Sequence, residues 1–166
     1  MLKFMLSLFL FSSILFAQSS SDFFDFSSDS LKEDLQAAKE DGKKGIFIFF
    51  GMEDCPFCHK MKMTVLNKPE VIKFYKKNFA NFEIDVNGNI QTHDFDGKAL
   101  SHKALALKHD VRATPVLAFF DLNGNKILTR TGYSSLEEFM LLGNFITSGK
   151  YKTDNFVKYK RDMLNK

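Results

Sequence analysis

Cys55 and Cys58 are the only cysteines in the chain, and two residues separate them in the run Cys55-Pro56-Phe57-Cys58. On a helix this spacing stacks the two sulfurs one turn apart. The pair can then pass between dithiol and disulfide with little backbone movement. The run follows a short apolar stretch, Gly45–Phe50 (GIFIFF), through the connection Gly51–Asp54, and can open a helix. A thiol at a helix N-terminus faces unpaired N–H groups and the positive end of the macrodipole, both of which favour the thiolate. Cys55 is therefore the expected nucleophile, partly exposed, and Cys58 the buried thiol that resolves its mixed disulfides. Pro56 suits the first helical turn, where its missing N–H costs nothing. Pro56 and Phe57, lying between the sulfurs, are expected to tune the redox poise of the pair.

Two other chemistries fit parts of the same run. Two cysteines cannot hold a structural zinc alone, and His59, His93, His102 and His109 stand at no recognised paired spacing. Met61 and Met63 would lean such a site toward copper, but they read more simply as packing residues. No metal and no cofactor are expected. Cys55-x-x-Cys58-His59 also matches the attachment motif of c-type haem, with His59 as one axial ligand and a methionine such as Met140 as the other. A small haem-c domain is mainly helical, whereas here an apolar strand runs into the motif and further strands follow. The cytochrome is thus the alternative, and a non-enzymatic metal- or partner-binding module is a third reading.

The elements that must position the pair can be read along the chain. Ser30-x-x-Glu33 is a capping box, and Leu31, Leu35 and Ala38 fall on one face of a helix that Gly42 stops. Gly45–Phe50 has the continuous apolar character of a strand buried on both faces. Cys55–Leu66 reads as a helix, as does Pro69–Asn78, which begins with proline and carries Val71, Ile72 and Tyr75 at helical spacing. Phe79–Val86 alternates as a strand, and Ser101–His109 returns to a helix. Pro115–Asp121 and Lys126–Thr131 flank the turn Leu122-Asn-Gly-Asn125 and form a hairpin. Leu136–Ile146 is a last amphipathic helix, and Tyr151–Leu164 a further, partly exposed one. Asp85-x-Asn87-x-Asn89 and Asp121-x-Asn123-x-Asn125 lack the glycine and glutamate of a calcium loop and read as Asn-Gly turns. Asp94-Phe-Asp-Gly97, inside the long connection Asn87–Lys98, reads as an Asx-type turn, with a partner-docking loop as its functional alternative. Thr114-Pro115 leads a buried strand, where proline costs no ladder donor and where cis peptide bonds occur.

Composition bounds the rest. The chain has 166 residues, 45% hydrophobic and 26% charged, with 20 Phe, no Trp and a net charge of +3. That is one globular domain. The charge is too small and too scattered to suggest nucleic acid as a partner. Residues 1–17 (MLKFMLSLFLFSSILFA) carry one early lysine, a short apolar core and a small residue before Gln18, the pattern of a cleavable signal peptide. The expected organisation is a signal peptide at 1–17, an arm at 18–29 held loosely, a domain at 30–150 and a helical extension at 151–166. The expected location is the periplasm, where disulfides form.

Strand, CxxC and helix, followed by Thr-Pro leading a hairpin and a last helix, resembles the thioredoxin fold over about Leu31–Gly149. The combination of Cys55-Pro-Phe-Cys58, Asp94-Phe-Asp-Gly97, Val111-Arg-Ala-Thr-Pro115, Phe119-Phe-Asp-Leu-Asn-Gly124, Gly132-Tyr133 and Gly149-Lys-Tyr151 is similar to the SoxW-type thioredoxin-like proteins of bacterial periplasms. The resemblance implies a single α/β domain with a central mixed sheet of four to five strands flanked by helices. It further implies a thiol–disulfide oxidoreductase, with Cys55 as nucleophile, Cys58 as resolving thiol, and Thr114 and cis Pro115 beside the sulfurs. Reductant is the preferred direction. The implied partners are proteins with thiols or disulfides and a membrane-embedded thiol electron carrier, and the expected state is a monomer. The chain departs from thioredoxins at two places. Asp54 stands where they carry Trp, and Phe49 stands where they carry a buried Asp that accepts the resolving thiol's proton. The proton of Cys58 is then expected to leave through water or another group, with Glu53 and Glu83 as the candidates.

Overall fold

A computed structural model describes residues 22–165. The signal peptide expected at 1–17 lies outside them. Among the described residues, no helix is long and apolar enough to cross a membrane.

The apolar run forms strand β1 (Gly45–Gly51), buried along its whole length. It pairs in parallel with β2 (Phe79–Asp85) and antiparallel with β5 (Val116–Phe120), which pairs antiparallel with β6 (Lys126–Thr131). The mixed four-stranded sheet has the order β2-β1-β5-β6. Because strand side chains alternate between faces, β1 feeds two separate cores. Phe47 and Phe49, with Leu117 and Phe119 of β5, pack against α2 (Pro56–Met61), α3 (Pro69–Asn78) and α5 (Leu136–Thr147). Ile46, Ile48 and Phe50, with Ala118 and Phe120, face α1 (Leu31–Glu40) and α4 (His102–Lys108). A strand covered on both faces needs no polar alternation, and its sequence has none. Ser30, Ser101 and Ser135 cap α1, α4 and α5 by accepting from the backbone N–H three residues on. The close packing of α5 on α3 requires Gly143, since a Cβ there would lie 2.5 Å from Phe74 Cε1.

Four expectations change. The helix expected over Cys55–Leu66 is α2 followed by one π-helical stretch, Lys62–Leu66. The connection Asn87–Lys98 is not plain loop: β3 (Gln91–His93) and β4 (Ala99–Ser101) form a separate two-stranded ribbon. Asp94 does make the expected Asx turn, its Oδ1 accepting from Asp96 N at 2.6 Å. It is also buried and ion-paired to Lys108 of α4, so it ties the ribbon to the domain. The extension begins with a short 3₁₀ turn (Lys150–Lys152) before α6 (Phe156–Leu164), whose Phe156 and Tyr159 pack on Phe145 of α5. Finally, the arm is not loosely held where it is described. Phe23 is fully buried among Phe47, Tyr75 and Phe139. Asp25 N donates to Asn81 O at 2.7 Å, and its carboxylate accepts from Asn81 N and from Lys76, which closes part of the open edge of β2.

Candidate active site

The chain leaves the end of β1 at Gly51, makes the short connection 52–54, and enters α2 at Pro56 with Cys55 as N-cap. Cys55 and Cys58 are bonded as a disulfide. Cys55 Sγ accepts a hydrogen bond from the Cys58 backbone N–H at 3.0 Å. The first sulfur thus takes up one of the orphan donors of the helix start, the interaction that would hold a thiolate after reduction. The expected contrast in exposure is absent: Cys55 is 3% and Cys58 2% exposed, because both sulfurs pack into the core that Phe49 and Met61 line. Exposure falls instead on the residues between them, with Phe57 58% exposed and Pro56 exposed at the first helical position.

The approach to the pair is set by small contacts. A Cβ on Gly51 would lie 2.8 Å from Phe49 Cε1 and 3.6 Å from Cys58 Sγ, so this position has no room for a side chain. His59 does not turn outward as a free ligand. Its Nε2 sits 2.6 Å from the Glu53 carbonyl and pins the 52–54 connection to α2. Phe50 pairs with Val116 across β1 and β5, which brings Pro115 level with Gly51 at the strand end that leads to Cys55. The Thr114–Pro115 bond is cis. The backbone of residues 112–114 makes no hydrogen bond among the described residues, whereas Pro115 O accepts from Gly132 N at 2.8 Å.

Glu53 and Glu83 both reach the neighbourhood of Cys58. With Gly51, Met52, His59, Lys62 and Asp85 they line a cleft of about 270 Å³ that has Cys58 in its wall. The parallel register sets Glu83 opposite Phe49, the apolar residue at the expected acceptor position. Glu83 is held by an ion pair to Lys62 at 2.5 Å, and its side chain is 35% exposed. The Glu53 side chain has no such anchor among the described residues and lies open to solvent. The sequence reading missed Lys62. Its signal was available: four residues after Cys58, it stands on the same helix face. Met52, which overhangs the site, carried no comparable signal.

The haem reading meets a different geometry, since the two sulfurs are joined to each other and His59 is engaged by the loop. Among the described residues, no three His, Cys, Asp or Glu side chains converge as a metal site would require.

The family model described as a thioredoxin-like domain matches residues 31–146. No curated protein sequence matches significantly. A thioredoxin-fold protein from Helicobacter pylori superposes with a TM-score of 0.69 at 21% identity, covering 87% of this chain and 95% of that one. The C-terminal domain of DsbD from Neisseria meningitidis, in its oxidised form, superposes at 0.54 and 20% identity over 75% of this chain and 98% of that one. A thioredoxin from Thermus thermophilus gives 0.55 and 22% over 69% and 82%. Similarity at these identities is similarity of fold.

Proposed function

The chain belongs to the thioredoxin-like domain family, and from that premise we propose that it is a periplasmic thiol–disulfide oxidoreductase that acts as a reductant of protein disulfides. The observation that carries this reading is the Cys55–Cys58 pair at the head of α2, with the first sulfur accepting the Cys58 amide and the Thr114–Pro115 turn level with the strand end beside it. In the reduced protein the Cys55 thiolate attacks a partner disulfide. A sulfur–sulfur bond forms to Cys55, and the first partner thiolate leaves. Cys58 then gives up its proton and attacks Cys55 Sγ, expelling the second partner thiolate and closing the Cys55–Cys58 disulfide. Two electrons pass to the partner. We assign the proton of Cys58 to the Glu83 carboxylate, reached through the cleft both residues line, which has room for a water. Lys62 holds that carboxylate in place. Thr114, with its free backbone, is positioned to pair with an extended partner segment, and Pro56, Phe57 and Pro115 shape the surface it meets.

Within the family, the motif combination noted above supports a SoxW-type assignment. On it rest the reductant direction, resupply of electrons by a membrane-embedded thiol carrier, and a monomeric protein. Export rests on the pattern of residues 1–17.

The test is a redox titration of the Cys55–Cys58 pair together with insulin reduction. A reductant should sit nearer the roughly −270 mV of thioredoxin than the roughly −120 mV of DsbA, and should be found reduced in cells. A potential at the oxidising end reverses the direction. A pair that exchanges with no disulfide leaves only a binding module on this scaffold. N-terminal sequencing of exported protein should start at Gln18; an intact Met1 in that fraction rejects the signal peptide.

A further inference from the structure

Beyond the pair itself, we propose that the protein selects acidic partners: the segment that flanks the target cysteine carries carboxylates, and Lys103 and Arg112 read them. This rests on the oxidoreductase reading above. A second cleft, about 300 Å³, shares Met52 with the cleft at Cys58 and runs away from it to Thr114. Its apolar wall includes Val86, Leu107 and Val111, and Leu107 is 64% exposed, a large apolar side chain left open to water.

The charges divide across Met52. The cleft at Cys58 carries three carboxylates, Glu53, Glu83 and Asp85, against Lys62 and His59. The second cleft carries Lys103 and Arg112, and no carboxylate lines it. Both cations are exposed, and neither has an ion pair among the described residues. Other exposed lysines, such as Lys73 and Lys98, are likewise unpaired among the described residues; what distinguishes these two cations is that both line one open apolar cleft. Two unpaired cations beside an open apolar wall favour a ligand that brings apolar surface and negative charge together. A strand paired on Thr114 would pass over this cleft. It could seat an apolar side chain against Leu107 and Val111 and set a carboxylate at either cation. A basic segment there meets two like charges, and the nearest lining carboxylates belong to the neighbouring cleft. Such rim charges act mainly on encounter, so the selection should appear in association rate and should weaken with salt.

The experiment uses the whole reduced protein and two short peptide disulfides, identical except that Glu or Lys flanks a Leu-Cys core, with exchange followed by stopped flow. At about 10 mM salt the Glu peptide should react on the order of tenfold faster. The preference should collapse at about 1 M salt, where charges are screened within a few ångströms. The double variant Lys103→Glu, Arg112→Glu should invert it. Equal rates for the two peptides at low salt overturn the proposal, as does a preference that survives charge reversal. If the double variant folds poorly, the single variants Lys103→Gln and Arg112→Gln take its place: each should narrow the preference, and a preference that neither changes overturns the proposal. Neutral hydroxyethyl disulfide separates the two levels of the argument: failure to exchange with it removes the oxidoreductase reading itself, whereas exchange with it and equal peptide rates removes only the selection.

Discussion

Cys58 donates its backbone N–H to Cys55 Sγ at 3.0 Å, so the first sulfur of the pair is also the cap of the helix that carries the second. The relationship is not reciprocal: Cys58, a turn further on, has no orphan donor directed at it. After reduction, the helix start stabilises the charge of one thiolate and not the other. Burial does not distinguish them, because both are under 4% exposed in the disulfide form. The order of reactivity follows from the cap alone. Alkylation of the reduced protein at neutral pH should label Cys55 first, and Cys58→Ser should accumulate mixed disulfides that Cys55→Ser does not. Preferential labelling of Cys58, read by peptide mass, would reverse the roles.

Glu83 and Glu53 are the two candidate acceptors for the proton of Cys58, and they differ in how they are anchored. Glu83 is fixed to Lys62 and faces Phe49 across the strands, while the Glu53 side chain is free in solvent. A base that must be in place when the thiol ionises benefits from being held. Glu83→Gln should slow attack on a preformed Cys55 mixed disulfide by about 10²-fold, at the low end of general-base contributions. Glu53→Gln should leave that step near its original rate. Stopped-flow release of a chromogenic thiol measures both, and a larger loss in the Glu53 variant moves the assignment to it.

The parts legible in the sequence are those with a local signal. GIFIFF is continuous enough to be a buried strand, Ser30 and Ser101 announce helix starts, and Asn123-Gly124 makes the β5–β6 turn, with Gly124 at φ 80. Cys55, Cys58, Thr114 and Pro115 were legible because spacing and order mark them. What stayed hidden is non-local. The three-residue strands β3 and β4 are too short for a period to register. Lys62 meets Glu83 only because β2 lies parallel to β1 in one register, and a slip of one residue would turn Glu83 to the other face. Asp94 looks like any turn aspartate until α4 delivers Lys108 to it.

Phe23 is the strongest case of such hidden structure, one of three phenylalanines in an aperiodic arm. It is fully buried, with its ring centroid 5.7 Å from Phe47, 5.5 Å from Tyr75 and 6.1 Å from Phe139. Its removal opens a hole in the same core that holds the cysteines. Phe23→Ala should cost about 3–5 kcal/mol in urea unfolding, the range for a buried aromatic. Phe26, three positions after Phe23 and 96% exposed, should be replaceable by Ala at under about 0.5 kcal/mol. Equal costs for the two would show that the arm does not dock as described.

His109 and His102 make stability depend on pH in a definite direction. His109 packs against Phe50, Phe95 and Phe120, and its Nε2 is buried with no hydrogen-bond partner among the described residues. Burial first, and then the Lys126 charge, hold its pKa below the ordinary histidine value, with Asp94 pulling the other way. At His102 the Nδ1 is likewise buried without a partner, and burial lowers the pKa against the opposing charges of Asp29 and Asp85. Between the folded and unfolded pKa values the unfolded chain binds more protons, so stability must rise with pH there and fall as pH drops below about 6.5. Asp94 has the same sign in a lower window. Burial would raise its carboxyl, but the Lys108 bond and charge and the Asp96 N–H outweigh it, so the loss comes only below about pH 3.9. The urea midpoint should therefore be level from about pH 8 to 7 and decline from about 6.5 to 5, a range above the carboxylate window. His109→Leu, which removes the group that must charge inside the aromatic cage, should flatten part of that decline while leaving the part due to His102. A midpoint that is constant down to about pH 5, or a decline unchanged in the variant, would show that these imidazoles take up protons in the folded state as easily as in the unfolded one.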